Sequence, residues 1–176
     1  MDGQADLHDL RSSRRRIVLT VVVIVASIIG LLAVLRLFAS GLPKITPDDL
    51  AAATERWEKS GLRNYRLTIV KSGRQTGEVK IEVRDGVAVG GTNNGVELKE
   101  LRTREPWTVP GMFATLETDF DNAAHAAEKF GGAEVVMRCE FDAKYGYPRR
   151  YLHQILGTYG DLSWEVTEFE EMLSAE

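Results

Sequence analysis

The sequence is nearly devoid of cysteine: Cys139 is the single one in 176 residues. That excludes an intramolecular disulfide and any metal centre built on several thiolates. No glycine-rich phosphate loop, nucleophile elbow or paired-histidine protease helix is present, which lowers the expectation of an enzyme. A basic stripe is missing as well. Of 22 Lys+Arg and 26 Asp+Glu, five and three precede Gly41, leaving 17 against 23 and a net of −6 for the rest. A mildly acidic region of this kind argues against nucleic acid as a partner. Internal repeats and low-complexity segments are absent too.

What is present is one long apolar run. From Ile17 to Leu35 only Thr20, Ser27 and Gly30 dilute a stretch of aliphatic residues and alanine. A helix rising ~1.5 Å per residue needs about 20 such residues to cross a bilayer. The apolar part of a cleaved secretory signal is shorter, about 7–15 residues. No cysteine stands at the end of the run for lipoprotein processing. The run therefore predicts an uncleaved signal anchor over residues 17–38, with the lipid bilayer as its partner. Arg11, Arg14, Arg15 and Arg16 precede it, whereas only Arg36 and Lys44 follow closely. Basic residues are held on the cytoplasmic side. The expectation is a single-pass inner-membrane protein with a cytoplasmic tail (1–16), a linker (39–46) and a periplasmic or extracellular domain (47–176).

That domain is of ordinary size for one core. Thr46-Pro47-Asp48-Asp49 writes a helix start, with a hydroxyl cap, a proline in the first turn and acids against the dipole. Leu50, Ala53 and Trp57 then share a face, and Gly61 closes a helix predicted from about Pro47 to Lys59. Tyr65, Leu67 and Ile69 alternate with polar residues, as do Val79, Ile81 and Val83, so two strands with one wet face follow. Asp85-Gly86 turns into a third strand, and residues 96–101 allow a short further one. Thr108-Val109-Pro110 opens a second helix whose Phe113, Leu116, Phe120, Ala124 and Ala127 form an apolar stripe. Phe130-Gly131-Gly132 stops it. Val135, Met137, Cys139 and Phe141 face one way on the next strand. Two more, over residues 149–156 and 162–169, complete an α-β-β-β-α-β-β-β order. Short connections imply an α+β domain with an antiparallel sheet and helices on one face, cystatin-like in topology.

Trp57 with Tyr65, Val83-Arg84-Asp85-Gly86, Thr108-Val109 with Met112-Phe113, and Phe141-Asp142 with Gly146-Tyr147-Pro148 carry a resemblance. On these residues the chain resembles an uncharacterised bacterial family, the domain of unknown function six-one-seven-four, over roughly Leu50 to Phe169. The resemblance implies a secreted, lipid-anchored or membrane-anchored protein and supplies no activity. The chain departs from lipid-anchored members in lacking their modified cysteine.

The candidate binding surface is Tyr145-Gly146-Tyr147-Pro148-Arg149-Arg150, with Asp142 just before it. Two aromatics and two guanidinium groups are what interfaces favour; the alternative is that glycine and proline shape a hairpin on which the tyrosines rest. Glu117, Asp121, His125 and Glu128 share one helix face, and Asp121 with His125 offers a carboxylate and an imidazole. Each stands one residue beyond a core position, so a solvated flank is the expectation, with no metal and no cofactor. Cys139 alternates with core residues and is expected to be buried. His153 is expected as a cross-strand neighbour, and Trp57, Trp107 and Trp164 as core. The sequence favours an anchored binding or interaction module with an envelope protein partner. A small envelope hydrolase using Asp142 or Asp121/His125, or an accessory subunit of a membrane complex, is the alternative.

Overall fold

The structure is a computed structural model that describes residues 41–158 and 161–173. The expected tail and anchor lie outside the described residues. Among the described residues no helix is long and apolar enough to cross a membrane.

Helix α1 (Pro47–Ser60) begins as its sequence dictates. Thr46 Oγ1 accepts the amide hydrogen of Asp49, while the Asp49 carboxylate accepts the Thr46 amide at 2.9 Å. These bonds satisfy two otherwise orphaned donors, and the Thr46 hydroxyl, donating to the same carboxylate at 2.7 Å, holds the Asp49 carboxyl below its ordinary pKa with help from the Thr46 amide. The helix ends at Gly61 in the left-handed conformation and buries Leu50, Ala53 and Trp57.

Seven strands form one antiparallel sheet: β1 (Tyr65–Gly73), β2 (Gly77–Arg84), β3 (Val87–Asn93), β4 (Val96–Glu97), β5 (Val135–Phe141), β6 (Pro148–Ile155) and β7 (Leu162–Glu171). Their order across the sheet is β4-β3-β2-β1-β7-β6-β5. Two meanders are thus joined through β1 and β7, which pair from Tyr65↔Glu171 to Gly73↔Leu162 with one bulge at Thr68/Ile69. Period-two alternation sends Tyr65, Leu67, Ile69, Val79, Ile81 and Val83 to a helix-covered face, where each is almost wholly buried. Burial of each aliphatic side chain there contributes roughly 1.5–3 kcal/mol. The opposite face carries ion pairs across strands, including Arg66–Glu82 at 3.1 Å and Arg66–Glu170 at 3.5 Å.

Between the meanders run α2 (Leu101–Arg104), a 3-10 turn (Glu105–Trp107), α3 (Val109–Ala124) and α4 (Ala126–Lys129). Thr108 caps α3 by accepting the Gly111 amide hydrogen at 3.1 Å. The second helix is shorter than its stripe predicts. At His125 the backbone leaves the helix, and the ring Nδ1 lies 2.9 Å from the Asp121 carbonyl. The region after Val96 also differs: pairing stops at Glu97, and Leu101 opens a helical turn.

The linker is incorporated into the fold from residue 42. Ile45 donates its amide to Met137 O, Cys139 donates to Pro43 O, and the Arg138 guanidinium donates to Leu42 O at 2.7 Å. Ile45 is buried in the core. Residues 42–45 therefore lie along the free side of β5.

Candidate functional site

The turn between β5 and β6 is assembled from its own polar groups. Asp142 Oδ1 accepts the amides of Lys144 (2.9 Å) and Tyr145 (2.7 Å), and the Asp142 amide donates to Tyr147 O at 2.8 Å. Gly146 adopts φ +83°, and a Cβ there would stand 2.5 Å from the Ala53 carbonyl, so the turn lies directly on α1. Tyr147 is buried and its ring stacks on Phe169 at 4.6 Å. Burial, followed by the Asp142 charge, raises its pKa. Tyr145 is half-buried, packs against Phe169 at 5.5 Å and donates its hydroxyl to Glu171 at 2.8 Å. Lys144 reaches that same hydroxyl, which raises its own pKa. Arg150 donates from Nε to Glu140 at 2.8 Å, and Arg149, exposed, reaches Glu140 at 3.4 Å. Tyr147 thus serves the core, while Arg149 and Arg150 answer one carboxylate on β5.

The other candidates are dispersed. Asp121 and His125 form a helix-end pair at 3.4 Å, and Lys129 approaches the same carboxylate at 3.4 Å. Among the described residues no three His, Cys, Asp or Glu side chains gather at metal-binding range. Cys139 is 1% exposed, and burial pushes its thiol far above the ordinary value; as a neutral thiol it is no nucleophile. Trp57 and Trp164 are buried, and Trp107 is half-buried against Trp164 at 6.3 Å. His153 is buried on β6, opposite Met137 and Leu162.

A groove of about 640 Å³ runs along one flank of α3. Its walls are the start of β3 (Val87, Ala88), Leu101 and Pro106 opposite, and Ala114 and Thr115 of the helix. Gly111 lets α3 approach the 3-10 turn, where a Cβ would stand 2.0 Å from Glu105 O. Beyond it, small side chains at Ala114, Thr115 and Thr118 keep the flank low. Val87 and Leu101 are about half exposed, at 52% and 47%, and supply an apolar rim. At the far end Asp119 accepts the Tyr151 hydroxyl at 2.7 Å. Burial, with the Asp119 charge behind it, drives the Tyr151 pKa upward. Sequence reading missed this groove, whose one linear signal is a glycine and three small residues on one helix flank.

With the geometry in view, a family model described as a family of unknown function (DUF6174) matches residues 49–152. The chain belongs to that family. The DUF6174 match runs from α1 into β6 and stops short of β7. The residues that carried the resemblance are largely core and turn residues. Trp57 meets Tyr65 edge-on at 5.3 Å, the Tyr65 hydroxyl accepts the Val109 amide at 3.1 Å, and Met112 and Phe113 are buried. In this chain those residues pack the core and shape its turns. Neither a curated protein nor a solved structure matches the chain.

Proposed function

We propose that this DUF6174 protein is a single-pass membrane-anchored protein of the bacterial cell envelope whose domain beyond the anchor is a binding module outside the cytoplasm. The apolar run from Ile17 to Leu35 and the arginines before it support the anchor, its orientation and the inner-membrane location. A cystatin-like arrangement is the reading that α1 laid across an antiparallel sheet supports; the chain extends it with a second helix and a second meander.

The observation that carries the binding role is the groove beside α3. Its volume falls in the range of ligand sites, about 300–1,000 Å³, and its walls are mostly apolar with a few polar groups. The half-exposed Val87 and Leu101 on its rim suit an apolar segment of an envelope protein partner. The turn of Asp142, Tyr145, Tyr147, Arg149 and Arg150 offers less, because its side chains are engaged within the domain, Arg149 through an exposed ion pair with Glu140. No specific observation favours a hydrolase, since Asp142 shapes its turn and Asp121 with His125 closes a helix.

A photo-crosslinking residue at Ala114, in the full chain in cells, tests the reading against the same residue at Arg149. A discrete adduct from Ala114 that disappears with Thr118→Arg supports the groove. Adducts from Arg149 alone would transfer the role to the turn.

A further inference from the structure

Three threonines line the groove beside α3, and each spends its hydroxyl hydrogen inside the chain. Thr108 donates to Glu105 O at 2.8 Å, Thr115 to Gly111 O at 3.0 Å and Thr118 to Ala114 O at 2.8 Å. Within a helix such a hydroxyl bonds back to the preceding turn and keeps only its lone pairs for anything else. Pro106 and Pro110, also in the lining, have no amide hydrogen to give. Arg102 is the one cationic side chain there, and its guanidinium is turned to Glu100. The polar part of the groove is therefore rich in acceptors and poor in donors.

At one end of that lining an acceptor is held in place. Tyr151, wholly buried on β6, donates its hydroxyl to Asp119 Oδ2 at 2.7 Å. The bond fixes a half-buried carboxylate and occupies one of its oxygens. Among the described residues Oδ1 has no partner, and no cation pairs with Asp119 or with Glu105, the second acid of the lining. Thr115 stands one helical turn before Asp119 on the same flank, and its lone pairs point to the same need. The groove thus offers negative charge and lone pairs beside its apolar walls.

We propose that the groove docks a short apolar segment of a partner protein by a lysine in that segment, whose ammonium pairs with Asp119. This inference rests on the groove being the binding surface and adds the charge of what it takes. An ammonium brings three donors and one positive charge to a lining that has acceptors and negative charge. A neutral segment would strip water from Asp119 Oδ1 and return no partner. An acidic one would meet like charge. From Gly111 to Asp119 the helix rises about 12 Å, the reach of about three to four extended residues. With its cation at Asp119, such a segment lays its apolar residues along Ala114 toward Pro106, which abuts Gly111.

The test is a titration of the full chain in nanodiscs of zwitterionic lipid, with alanine and valine methyl groups labelled with carbon-13. The probes are three capped tripeptides: acetyl-Val-Leu-Lys-amide and its counterparts ending in Gln and in Glu. The methyl resonances of Ala114 and Val87, identified by their loss in Ala114→Ser and Val87→Thr, report occupation of the groove. The expected result is a saturable shift of both, with half-saturation by the Lys peptide roughly fivefold below the Gln peptide, the worth of a good part-exposed ion pair. The Glu peptide should bind more weakly than either. Asp119→Asn keeps an acceptor for the Tyr151 hydroxyl but removes the charge, and should bring the Lys and Gln peptides to about the same affinity. Should Asp119→Asn fail to fold, salt is the second readout: raising sodium chloride from about 50 to about 500 mM should weaken the Lys peptide and leave the Gln peptide unchanged. Equal binding of the Lys and Gln peptides, a Lys preference that persists in folded Asp119→Asn, or a preference indifferent to salt would overturn the proposal and leave the groove reading standing. Unmoved methyl resonances with all three peptides would overturn the groove reading and this inference with it.

Discussion

The Tyr65 hydroxyl accepts the amide hydrogen of Val109 at 3.1 Å, so a side chain at the start of β1 satisfies the first backbone donor of α3. Val109 is wholly buried, and no water can take over the bond. Tyr65→Phe should therefore lower stability by about 1–3 kcal/mol, the cost of a buried donor left unmade. A urea melt of the variant, with an unchanged slope and a lower midpoint, checks this. A midpoint equal to the wild type would show that the helix start is satisfied elsewhere.

Burial raises the Tyr65 pKa from 10.0 to about 12, and it raises those of Tyr151 and Cys139 as well. Each group loses its proton more readily in the unfolded chain, so above the unfolded pKa the native state binds more protons. These three groups should thus leave stability unchanged between pH 7 and about pH 8. It should begin to fall near pH 9 as unfolded cysteine ionises, and steepen above pH 10 as the tyrosines join, at ~1.4 kcal/mol per pH unit per group. Urea midpoints between pH 7 and 11 would reveal the slope, and Tyr65→Phe should make it shallower above pH 10.

Two glycines share φ +83° but differ in surroundings. Gly157 has open space where a Cβ would go, whereas Gly146 faces the Ala53 carbonyl at 2.5 Å. Gly157→Ala should cost only the backbone strain, about 1–2 kcal/mol. Gly146→Ala should cost a further ~1–3 kcal/mol, because the turn must lift from α1. Thermal melts of the two variants side by side separate the contributions; equal losses would show that the turn does not bear on the helix.

Within the same turn, Tyr147 and Arg149 should behave oppositely. Tyr147→Ala removes a buried ring stacked on Phe169 and should cost about 3–5 kcal/mol. Arg149→Ala removes a half-exposed ion pair with Glu140 and should change stability by under ~1 kcal/mol. If the two cost the same in denaturant melts, the turn would not divide into a packing side and a solvent side.

Local signals were legible in the sequence, and long-range pairings were not. Thr46-Pro47-Asp48-Asp49 followed by Leu50, Ala53 and Trp57 states a helix start and its buried face within a dozen residues, and α1 follows it closely. The alternations of β1, β2 and β5 likewise gave the buried face and the burial of Cys139. The pairing of β1 with β7 joins residues about a hundred positions apart, and nothing local in Tyr65–Gly73 names its partner. That gap explains the reading of the turn. Tyr147 looks like a contact residue until Phe169, on β7, is seen beneath it. The same alternation that buried Leu67 and Ile69 also reaches Lys71, yet a lysine at the end of a strand reads as a solvated terminus until Trp107 closes over it. The early end of α3 has no such linear signal: at His125 both the ring Nδ1 and the backbone amide lie on the Asp121 carbonyl.

The placement of residues 42–45 bears on how the sheet meets other chains. An outermost strand with free amides and carbonyls invites a foreign strand to add to it, the route to aggregation and domain exchange. On the β5 side the incoming chain already occupies part of that position. On the other side β4 is two residues long, Leu98 donates to Gly91 O, and Arg104 donates to the carbonyl of Val89 at 2.6 Å. Both borders of the sheet are thereby blunted, the first by the segment through which the chain enters the domain. Cutting the chain before Ile45 would bare the β5 border, turning a self-contained sheet into a template for strand addition.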